Sequence, residues 1–307
     1  MRGSPRTRCR SRTRVDVRAA RRRVRVETPL PNHERSPQPR CFAIDWSGAR
    51  TGEKRRIWCA EAVDGRVEAL ANGRTRRELT QYLALRARDD AHLVAGFDFA
   101  FSFPAWFVRE CGARDAFAFW AHVRDHGEHW LAQCEPPFWG RPARTRPMQS
   151  SSRPHYRRTE SERPAARGIS PKSVFQIGGA GAVGTGSVRG MPELLELRAA
   201  GFAIWPFERA HFPLALEIYP RFLTGPVTKS NASARAAHLA RCAEGQDRAL
   251  VRAATASEDA FDAFVSALEM SRHAARFARL PRPTDALTRL EGRIWSPVRD
   301  PLPLARE

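Results

Sequence analysis

Three acidic residues at the ends of short apolar runs constrain the fold more than any other feature. Asp45, Asp98 and Glu217 each follow a few consecutive apolar residues. Runs of this length, bounded by polar and turn-forming residues, predict buried strands. Burying an ionised carboxylate is costly unless a partner compensates its charge. Three carboxylates at similar strand positions therefore predict a shared partner, and a divalent metal ion would serve all three.

The length and composition indicate a soluble globular protein. The chain has 307 residues, of which 42% are hydrophobic. This suits one large domain with insertions, or two small ones. The apolar runs are much shorter than the ~20 residues that a membrane-spanning helix needs. We therefore expect no membrane partner. The six cysteines form no CxxC pair, so we expect reduced thiols in a cytoplasmic protein.

The positive charge of the chain comes almost entirely from arginine. The formal charge is +19, with 52 Lys+Arg against 33 Asp+Glu. Arginine suits phosphate recognition, and a basic surface suits a polyanion such as DNA or RNA. An arginine bias in the genome would give the same count. Charge therefore makes nucleic acid a candidate partner without establishing it, and the oligomeric state stays open.

Residues 1–40 are predicted to form a disordered, Arg-rich tail, because they lack apolar periodicity. A basic arm for nucleic acid, a translation start placed too far upstream and an organelle transit peptide would all look like this. We favour a tail without an essential function. The predicted domain covers residues 41–285, with an irregular loop rich in Arg, Pro and Ser at about 135–172, and a C-terminal extension covers 286–307.

Periodicity and turn residues predict an α/β fold that opens with three meandering strands, a helix and a fourth strand. Asp64-Gly65 predicts a hairpin between the second and third strands. Thr75 and Glu78 predict a capping box at the start of the first long helix. The predicted strands are 42–46, 56–63, 66–70, 92–97, 173–177, 202–207 and 214–219. The predicted helical regions are 75–88, 104–134, 191–200, 232–255 (with a break at Gly245) and 258–278.

The last predicted helix adds two acids. Asp259 and Asp262 are spaced i, i+3, so they share one face of its first turn. Ser257 is a candidate N-cap. Ordinary pairing of an acid with the helix dipole would explain Asp259. Asp262 is harder to explain in that way, because it lies at the edge of an apolar face.

A glycine-rich segment offers a different chemistry. Gly179, Gly181 and Gly184 match GxGxxG between a predicted strand and a predicted helix. The motif suits dinucleotide binding, contact with a substrate phosphate, or simply close backbone packing. The helix is predicted to begin near Gly190, too late for a phosphate on this loop to meet its N-terminus. The three interpretations stay open.

Taken as a set, five motifs resemble a known family. AIDWSGA (43–49), GFDFAFSFP (96–104), QIGGAGAVGTGSVRG (176–190), LEIYPR (216–221) and EDAFDAFVSA (258–267) are similar to motifs of the predicted nucleases of domain-of-unknown-function family 429. The resemblance covers about residues 41–280. That family is placed in the RNase H-like superfamily, so the resemblance implies a mixed sheet of three antiparallel strands followed by parallel strands, flanked by helices.

The resemblance also implies roles for single residues. Asp45 matches the acid of the first strand of the superfamily, and Asp98 matches the acid of the fourth strand. Asp259 and Asp262 match the acids of the last helix, as in the junction resolvases of that superfamily. Glu217 matches the acid that this family carries before Tyr-Pro.

We therefore predict a metal-dependent nuclease. Asp45 and Asp98 would hold Mg²⁺ or Mn²⁺, with Asp262 or Asp259 completing the site and water attacking a phosphodiester. Glu217 would be a further ligand or would orient that water. Arg157 and Arg158, in the irregular loop, would contact the phosphate backbone.

Two alternatives belong to other classes. A nucleotide-binding or phosphotransfer protein on a related fold would hold ATP between residues 45–48 and the 178–190 loop, and calorimetry with ATP and NAD would detect it. A non-catalytic nucleic-acid-binding module would bind tightly and in a salt-sensitive manner even after loss of the acids.

Overall fold

The computed structural model describes residues 38–161 and 171–297. Residues 1–37 of the predicted tail lie outside this described part of the chain. The last residue of the predicted tail, Arg40, already opens the first strand. None of the helices in the described part of the chain has the length and apolarity to cross a lipid bilayer.

A six-stranded mixed sheet forms the centre of an α/β fold, as predicted. Its order is β3-β2-β1-β4-β6-β5. β2 runs antiparallel to β1 and β3, whereas β1, β4, β6 and β5 are mutually parallel. The strands are β1 (Arg40–Asp45), β2 (Trp58–Val63), β3 (Arg66–Ala71), β4 (Leu93–Phe97), β5 (Ala203–Trp205) and β6 (Leu214–Glu217).

The five predicted helical regions are found with shifted bounds. The helices are α1 (Glu53–Arg56), α2 (Arg76–Asp89), α3 (Ala105–Glu110), α4 (Ala116–Gln133), α5 (Arg158–Ser161), α6 (Gly184–Ala199), α7 (Pro220–Thr224), α8 (Ala232–Cys242), α9 (Arg248–Ala256), α10 (Glu258–Arg272) and α11 (Ala286–Glu291), with a 3-10 helix at Ala274–Arg279. The region 104–134 is divided into two helices, and the four short helices α1, α5, α7 and α11 were not predicted.

Local signals account for several boundaries. Asp64 and Gly65 both have positive φ, of 48° and 74°, as a two-residue hairpin turn of type I′ requires. Thr75 and Glu78 form the predicted capping box at α2. Gly245, with φ 75°, lies between α8 and α9, so the predicted break is confirmed.

Alternating side chains bury the two faces of the sheet under different helices. Phe42, Ile44 and Phe97 belong to an aromatic-rich core that includes residues of α2, α3, α4 and α6. Ala43 and Val94 belong to a second core that includes residues of α8, α9 and α10. Side chains at successive positions along each strand therefore enter different environments.

The prediction around the glycine-rich segment was wrong in two respects. Residues 173–177 form no strand of the sheet and make only an isolated bridge, between Gln176 and Trp139. α6 begins at Gly184, well before the predicted start at 191. Glycines are poor helix formers, but packing requires them here. A Cβ on Gly184 would lie 2.2 Å from the carbonyl oxygen of Val174, and one on Gly190 would lie 2.6 Å from the Phe99 ring.

The predicted C-terminal extension is part of the domain as far as it is described. Trp295 is completely buried in the second core. Ile294 makes a parallel bridge with Glu217 at the end of β6, and the Trp295 amide donates to the Glu217 carbonyl oxygen at 2.8 Å. The boundary predicted at 285 is therefore wrong, because residues after α11 cover the end of the sheet.

Candidate functional site

The parallel pairing of β1 and β4 brings Asp45 and Asp98 together. Ile44 lies opposite Phe97 in the register, and the Asp98 amide donates to the Ile44 carbonyl oxygen at 3.0 Å. Asp45 and Asp98 are the next residues after this pair, so they lie at the same level of the sheet. Because strand side chains alternate, both are directed to the face that α10 covers. The sequence prediction for this pair of strand ends agrees with their position.

Helix α10 adds the other two predicted acids. Ser257 caps it by accepting a hydrogen bond from the Ala260 amide. Asp259 is partly exposed, whereas Asp262 is only 1% exposed. One oxygen of Asp262, Oδ1, is buried without a hydrogen-bond partner among the described residues. We call Asp45, Asp98, Asp259 and Asp262 the acid cluster.

Lys229 is a member of the site that the sequence interpretation missed. Its ammonium pairs with Oδ2 of Asp262. Its carbonyl oxygen accepts from the buried Arg235, whose Nε donates to the Thr255 carbonyl oxygen at 2.9 Å. The connection between α7 and α8 is thereby fixed beside α10. Composition carried a signal, because Lys229 is one of few lysines in a chain whose basic residues are mainly arginine.

Burial, reinforced by mutual repulsion, dominates the electrostatics of the acid cluster. Burial raises the pKa of Asp45 well above its ordinary value, and the charges of Asp262, Asp98 and Asp259 raise it further. Burial, followed by the charge of Asp262, raises the pKa of Asp98 to about 8. Lys229 opposes both shifts. Positive charge near the acid cluster is thus insufficient to keep it fully ionised at neutral pH.

The Lys229 ammonium responds to the same field. Burial would lower the pKa of Lys229, but the charges of Asp262, Asp45 and Asp98 together outweigh burial and raise that pKa. The lysine therefore stays protonated and acts as a resident cation of the acid cluster.

The donor set of the acid cluster fits a hard divalent cation. Carboxylate oxygens are the ligands that Mg²⁺ and Mn²⁺ prefer. The unpartnered Oδ1 of Asp262 and the repulsion at Asp45 and Asp98 would both be relieved by such an ion. With the side chains in their present positions, no group of three His, Cys, Asp or Glu residues in 38–161 and 171–297 is arranged to hold a metal. The Lys229 ammonium pairs with Asp262 and interacts electrostatically with Asp45 and Asp98.

A pocket of about 530 Å³ opens beside the acid cluster. Asp45, Asp98 and Asp259 line it, and Arg56 contributes a guanidinium. Further lining comes from residues 46–48, from residues 181–183 and from Gly186 in the first turn of α6. The pocket thus combines carboxylates with a helix N-terminus.

The three glycines predicted to bind substrate have different surroundings. Gly181 lines the pocket and has φ +76°. Gly179 also has φ +76° and lies near Gly140 and Gln176. Gly184 begins α6 and packs against Val174. Of the three glycines, Gly181 is therefore the one placed for a direct role near the acids. Close packing explains why a glycine is needed at position 184.

Glu217 does not join the acid cluster. It lies opposite Phe97 in the register, one position before the level of Asp98, so its side chain points to the other face of the sheet. Oε1 accepts from Arg157 Nη2 at 2.5 Å. Oε2 accepts from Arg157 Nη1 at 2.9 Å and from the Phe101 amide at 3.0 Å. The prediction that Glu217 is a ligand or orients water is corrected, because this ion pair occupies both oxygens.

Arg157 is likewise unsuited to its predicted role in binding a phosphate backbone. Its side chain is 1% exposed, and it pairs with Glu160 as well as Glu217. Arg158 differs, because its side chain is 44% exposed and pairs with Asp285 at 2.8 Å. Phosphate contact by Arg158 stays a prediction, whereas that by Arg157 is wrong.

The raised pKa of Asp98 predicts a pH dependence of stability. The ordinary pKa of 3.8 becomes about 8 in the folded protein. Between these values the folded state binds a proton that the unfolded chain has released, so stability falls as pH rises from about 4 to about 8 and then levels off. The slope contributed by this group is up to about 1.4 kcal/mol for each pH unit. Thermal unfolding of wild-type and Asp98→Asn protein in EDTA checks this.

The variant should lose the part of the pH dependence that comes from Asp98. An unchanged difference between the unfolding temperatures at pH 5 and pH 8 in Asp98→Asn protein would contradict the assignment.

Comparison with known proteins adds no further constraint. The chain matches no protein-family model, no curated protein and no solved structure.

Proposed function

We propose that this protein is a metal-dependent nuclease with an RNase H-like fold. The observation that carries the proposal is the convergence of β1, β4 and α10 on one pocket, to which they bring Asp45, Asp98 and Asp259, with Asp262 behind them. A binding protein for a polyanion gains nothing from carboxylates beside its phosphate site. A phosphodiesterase that uses divalent metal needs them.

The order of the sheet supports the RNase H-like assignment. Three antiparallel strands come first, followed by parallel strands on one side of β1. The acids stand at the end of the first strand, directly after the fourth and on a late helix packed against β1 and β2. This is the placement that the resemblance to the family implies.

In the proposed site, Asp45, Asp98 and the free Oδ1 of Asp262 would hold Mg²⁺ or Mn²⁺, with Asp259 at the edge. When bound, the cation supplies activation of water and stabilises negative charge on the phosphate. Lys229 pairs with the other oxygen of Asp262, and its ammonium would move away from that oxygen when the cation binds. Burial raises the pKa of Asp259, and the charge of Arg56 partly offsets that rise. Arg56 would present this positive charge to the nucleic-acid backbone at the mouth of the pocket.

A cleavage assay tests the proposal. Single-stranded, duplex and branched DNA and single-stranded RNA are incubated with Mg²⁺, Mn²⁺ or EDTA. We expect cleavage of at least one substrate with either metal and none in EDTA. Absence of cleavage of all four with both metals would contradict the proposal.

A specific observation keeps phosphotransfer as a second candidate. Because α6 begins at Gly184, a phosphate bound near Gly181 would meet the N-terminus of this helix. Micromolar ATP binding in calorimetry, without nucleic-acid cleavage, would favour this class. NAD binding has less support, since the motif is not preceded by a strand of the sheet as a dinucleotide-binding fold requires.

Replacing Lys229 should change metal binding and stability in opposite directions. In Lys229→Met protein, we expect Mn²⁺ to bind about tenfold more tightly, because a competing positive charge has been removed from the acid cluster. The metal-free protein should be less stable, because Asp262 loses its partner. Calorimetric Mn²⁺ titration and thermal unfolding in EDTA measure the two effects.

Lys54→Met is the matched control, because Lys54 pairs with Glu78 at the surface. It should change neither quantity appreciably. Weaker Mn²⁺ binding in Lys229→Met protein would show that the lysine assists the metal rather than competing with it.

A further inference from the structure

The pocket beside the acid cluster has a second wall that is built from backbone. The loop of residues 46–49 follows β1 and lies directly against the first turn of α6. A Cβ on Gly48 would lie 2.3 Å from the amide nitrogen of Gly186, and Trp46 Nε1 donates to the Gly186 carbonyl oxygen at 3.1 Å. Two glycines are therefore in contact with no side chain between them. We call residues 46–49 with residues 184–186 the amide wall.

Two arginines hold the carbonyl groups of this loop. Arg76 donates to the carbonyl oxygens of Ser47 at 2.9 Å and Ala49 at 3.1 Å. Arg189 donates to that of Gly48. In a trans peptide the C=O and the following N–H point in opposite directions. The Gly48 amide, which follows the Ser47 carbonyl, therefore points away from Arg76.

The first turn of α6 contributes further unpaired donors. The Gly184 amide donates to the Gln176 carbonyl oxygen, and the Ser187 amide donates to that of Val183. The amides of Thr185 and Gly186 donate to no acceptor within residues 38–161 and 171–297. Free amides at the positive end of a sixteen-residue helix favour an anion.

The acid side of the same pocket indicates that a ligand belongs there. Asp262, almost completely buried, has an oxygen without a partner in the described residues. Asp262 does not itself line the pocket, but it lies one helical turn beyond Asp259, which does, and its charge acts on Asp45, another lining residue. One wall thus suits a cation and the other suits an anion, and a phosphate with its counter-ion satisfies both.

We propose that this pocket receives one nucleotide unit of an unpaired strand, with its phosphate on the amide wall. The inference rests on the proposed nuclease function and names its substrate class. A volume of about 530 Å³ is in the range of pockets for small molecules. A nucleotide in a duplex would have to leave the base stack to enter it. Unpaired strands and strand ends are therefore the substrates.

Gly186→Ala tests the amide wall without disturbing the fold. Its Cβ would lie 3.6 Å from Trp46 Cδ1 and 3.7 Å from the Gly48 amide nitrogen, which is ordinary contact. Alanine also favours the helix. The added methyl would cover the Gly48 amide. Arg56→Ala removes the guanidinium that lines the pocket, and Arg55→Ala is its control, since neighbouring Arg55 is exposed and does not line the pocket.

The experiment measures binding separately from cleavage. Calorimetry with thymidine monophosphate and Ca²⁺ gives dissociation constants for the wild-type protein and the three variants. We expect Gly186→Ala to weaken binding about tenfold, the effect of losing a charge-assisted hydrogen bond. Arg56→Ala should weaken it severalfold, and Arg55→Ala should leave it unchanged. In Mg²⁺, wild-type protein should cleave an unpaired oligonucleotide at least about tenfold faster than a blunt duplex of the same sequence.

The outcomes distinguish the proposal of the amide wall and its substrate from the proposal of a nuclease. Unchanged binding in Gly186→Ala protein that unfolds at the wild-type temperature would overturn the amide wall. Equal cleavage of unpaired and duplex DNA would overturn the substrate class while leaving the nuclease in place. Nucleotide binding that Gly186→Ala weakens, without any cleavage, would support the amide wall and reject the nuclease.

Discussion

Asp45→Asn and Asp98→Asn proteins are each expected to lose about a thousandfold of the metal-dependent cleavage rate while remaining folded. Asparagine keeps the shape of the side chain but removes the negative charge that would hold the cation. Asp45 ends β1 and Asp98 directly follows β4, so the sheet fixes both positions and a neighbouring residue is not positioned to replace them. Initial rates on the best substrate at saturating Mg²⁺ measure the effect.

The same substitutions should increase stability in EDTA. Burial and mutual repulsion raise the pKa values of Asp45 and Asp98, so their charged forms oppose folding. A gain in unfolding temperature together with a loss of cleavage is the pattern of a functional cluster. Asp125→Asn is the control, because Asp125 pairs with Arg124 on the surface of α4. Wild-type cleavage by the Asp45 and Asp98 variants would reject the catalytic assignment.

Arg157→Met is expected to destabilise the protein by about 3–5 kcal/mol, because it leaves buried charges without a partner. The guanidinium donates to Glu160 at 2.9 Å, to both oxygens of Glu217 and to the Glu291 carbonyl oxygen at 3.0 Å. It therefore joins the loop that precedes α5, β6 and the end of α11. The midpoint of urea unfolding measures the loss.

Arg158→Met is the matched control for this prediction. Its pair with Asp285 is about half exposed, and exposed pairs contribute less than about 1 kcal/mol. A small effect of Arg157→Met, or equal effects of the two variants, would contradict the structural role of Arg157. In that case the phosphate contact first predicted for it would need to be considered again.

Strand ends and turns were predictable because their signals are local. The hairpin at Asp64 and Gly65 and the capping box at Thr75 depend on residues that are adjacent or one turn apart. The closeness of Asp45 and Asp98 was predictable because neighbouring parallel strands end at the same edge of a sheet. These predictions needed no knowledge of how distant segments pack.

Glu217 could not be placed correctly from the local pattern of its own strand. Its apolar run resembles those of Asp45 and Asp98, but a difference of one residue in register places it level with Phe97. With a side-chain period of two, this shift reverses the face of the sheet. Register between β4 and β6 depends on packing across a long connection, and the pattern of one strand does not contain it.

The start of α6 was missed for a related reason. Local propensity disfavours a helix through Gly184, Gly186 and Gly190, yet these glycines permit contacts with Val174, Gly48 and Phe99. Lys229 was missed because its partner Asp262 lies on another helix. Both features depend on tertiary contacts: the first turn of α6 lines the pocket, and Lys229 pairs with a member of the acid cluster.

Anomalous diffraction from a Mn²⁺-soaked crystal of the protein tests the central claim most directly, namely that the acid cluster holds a divalent cation. We expect a Mn²⁺ peak between the carboxylates of Asp45, Asp98 and Asp262, with the Lys229 ammonium moved away from Asp262. The peak should be absent from crystals of Asp45→Asn protein that are soaked identically. Mn²⁺ bound only elsewhere in the wild-type crystal, with the pair of Lys229 and Asp262 intact, would contradict the claim.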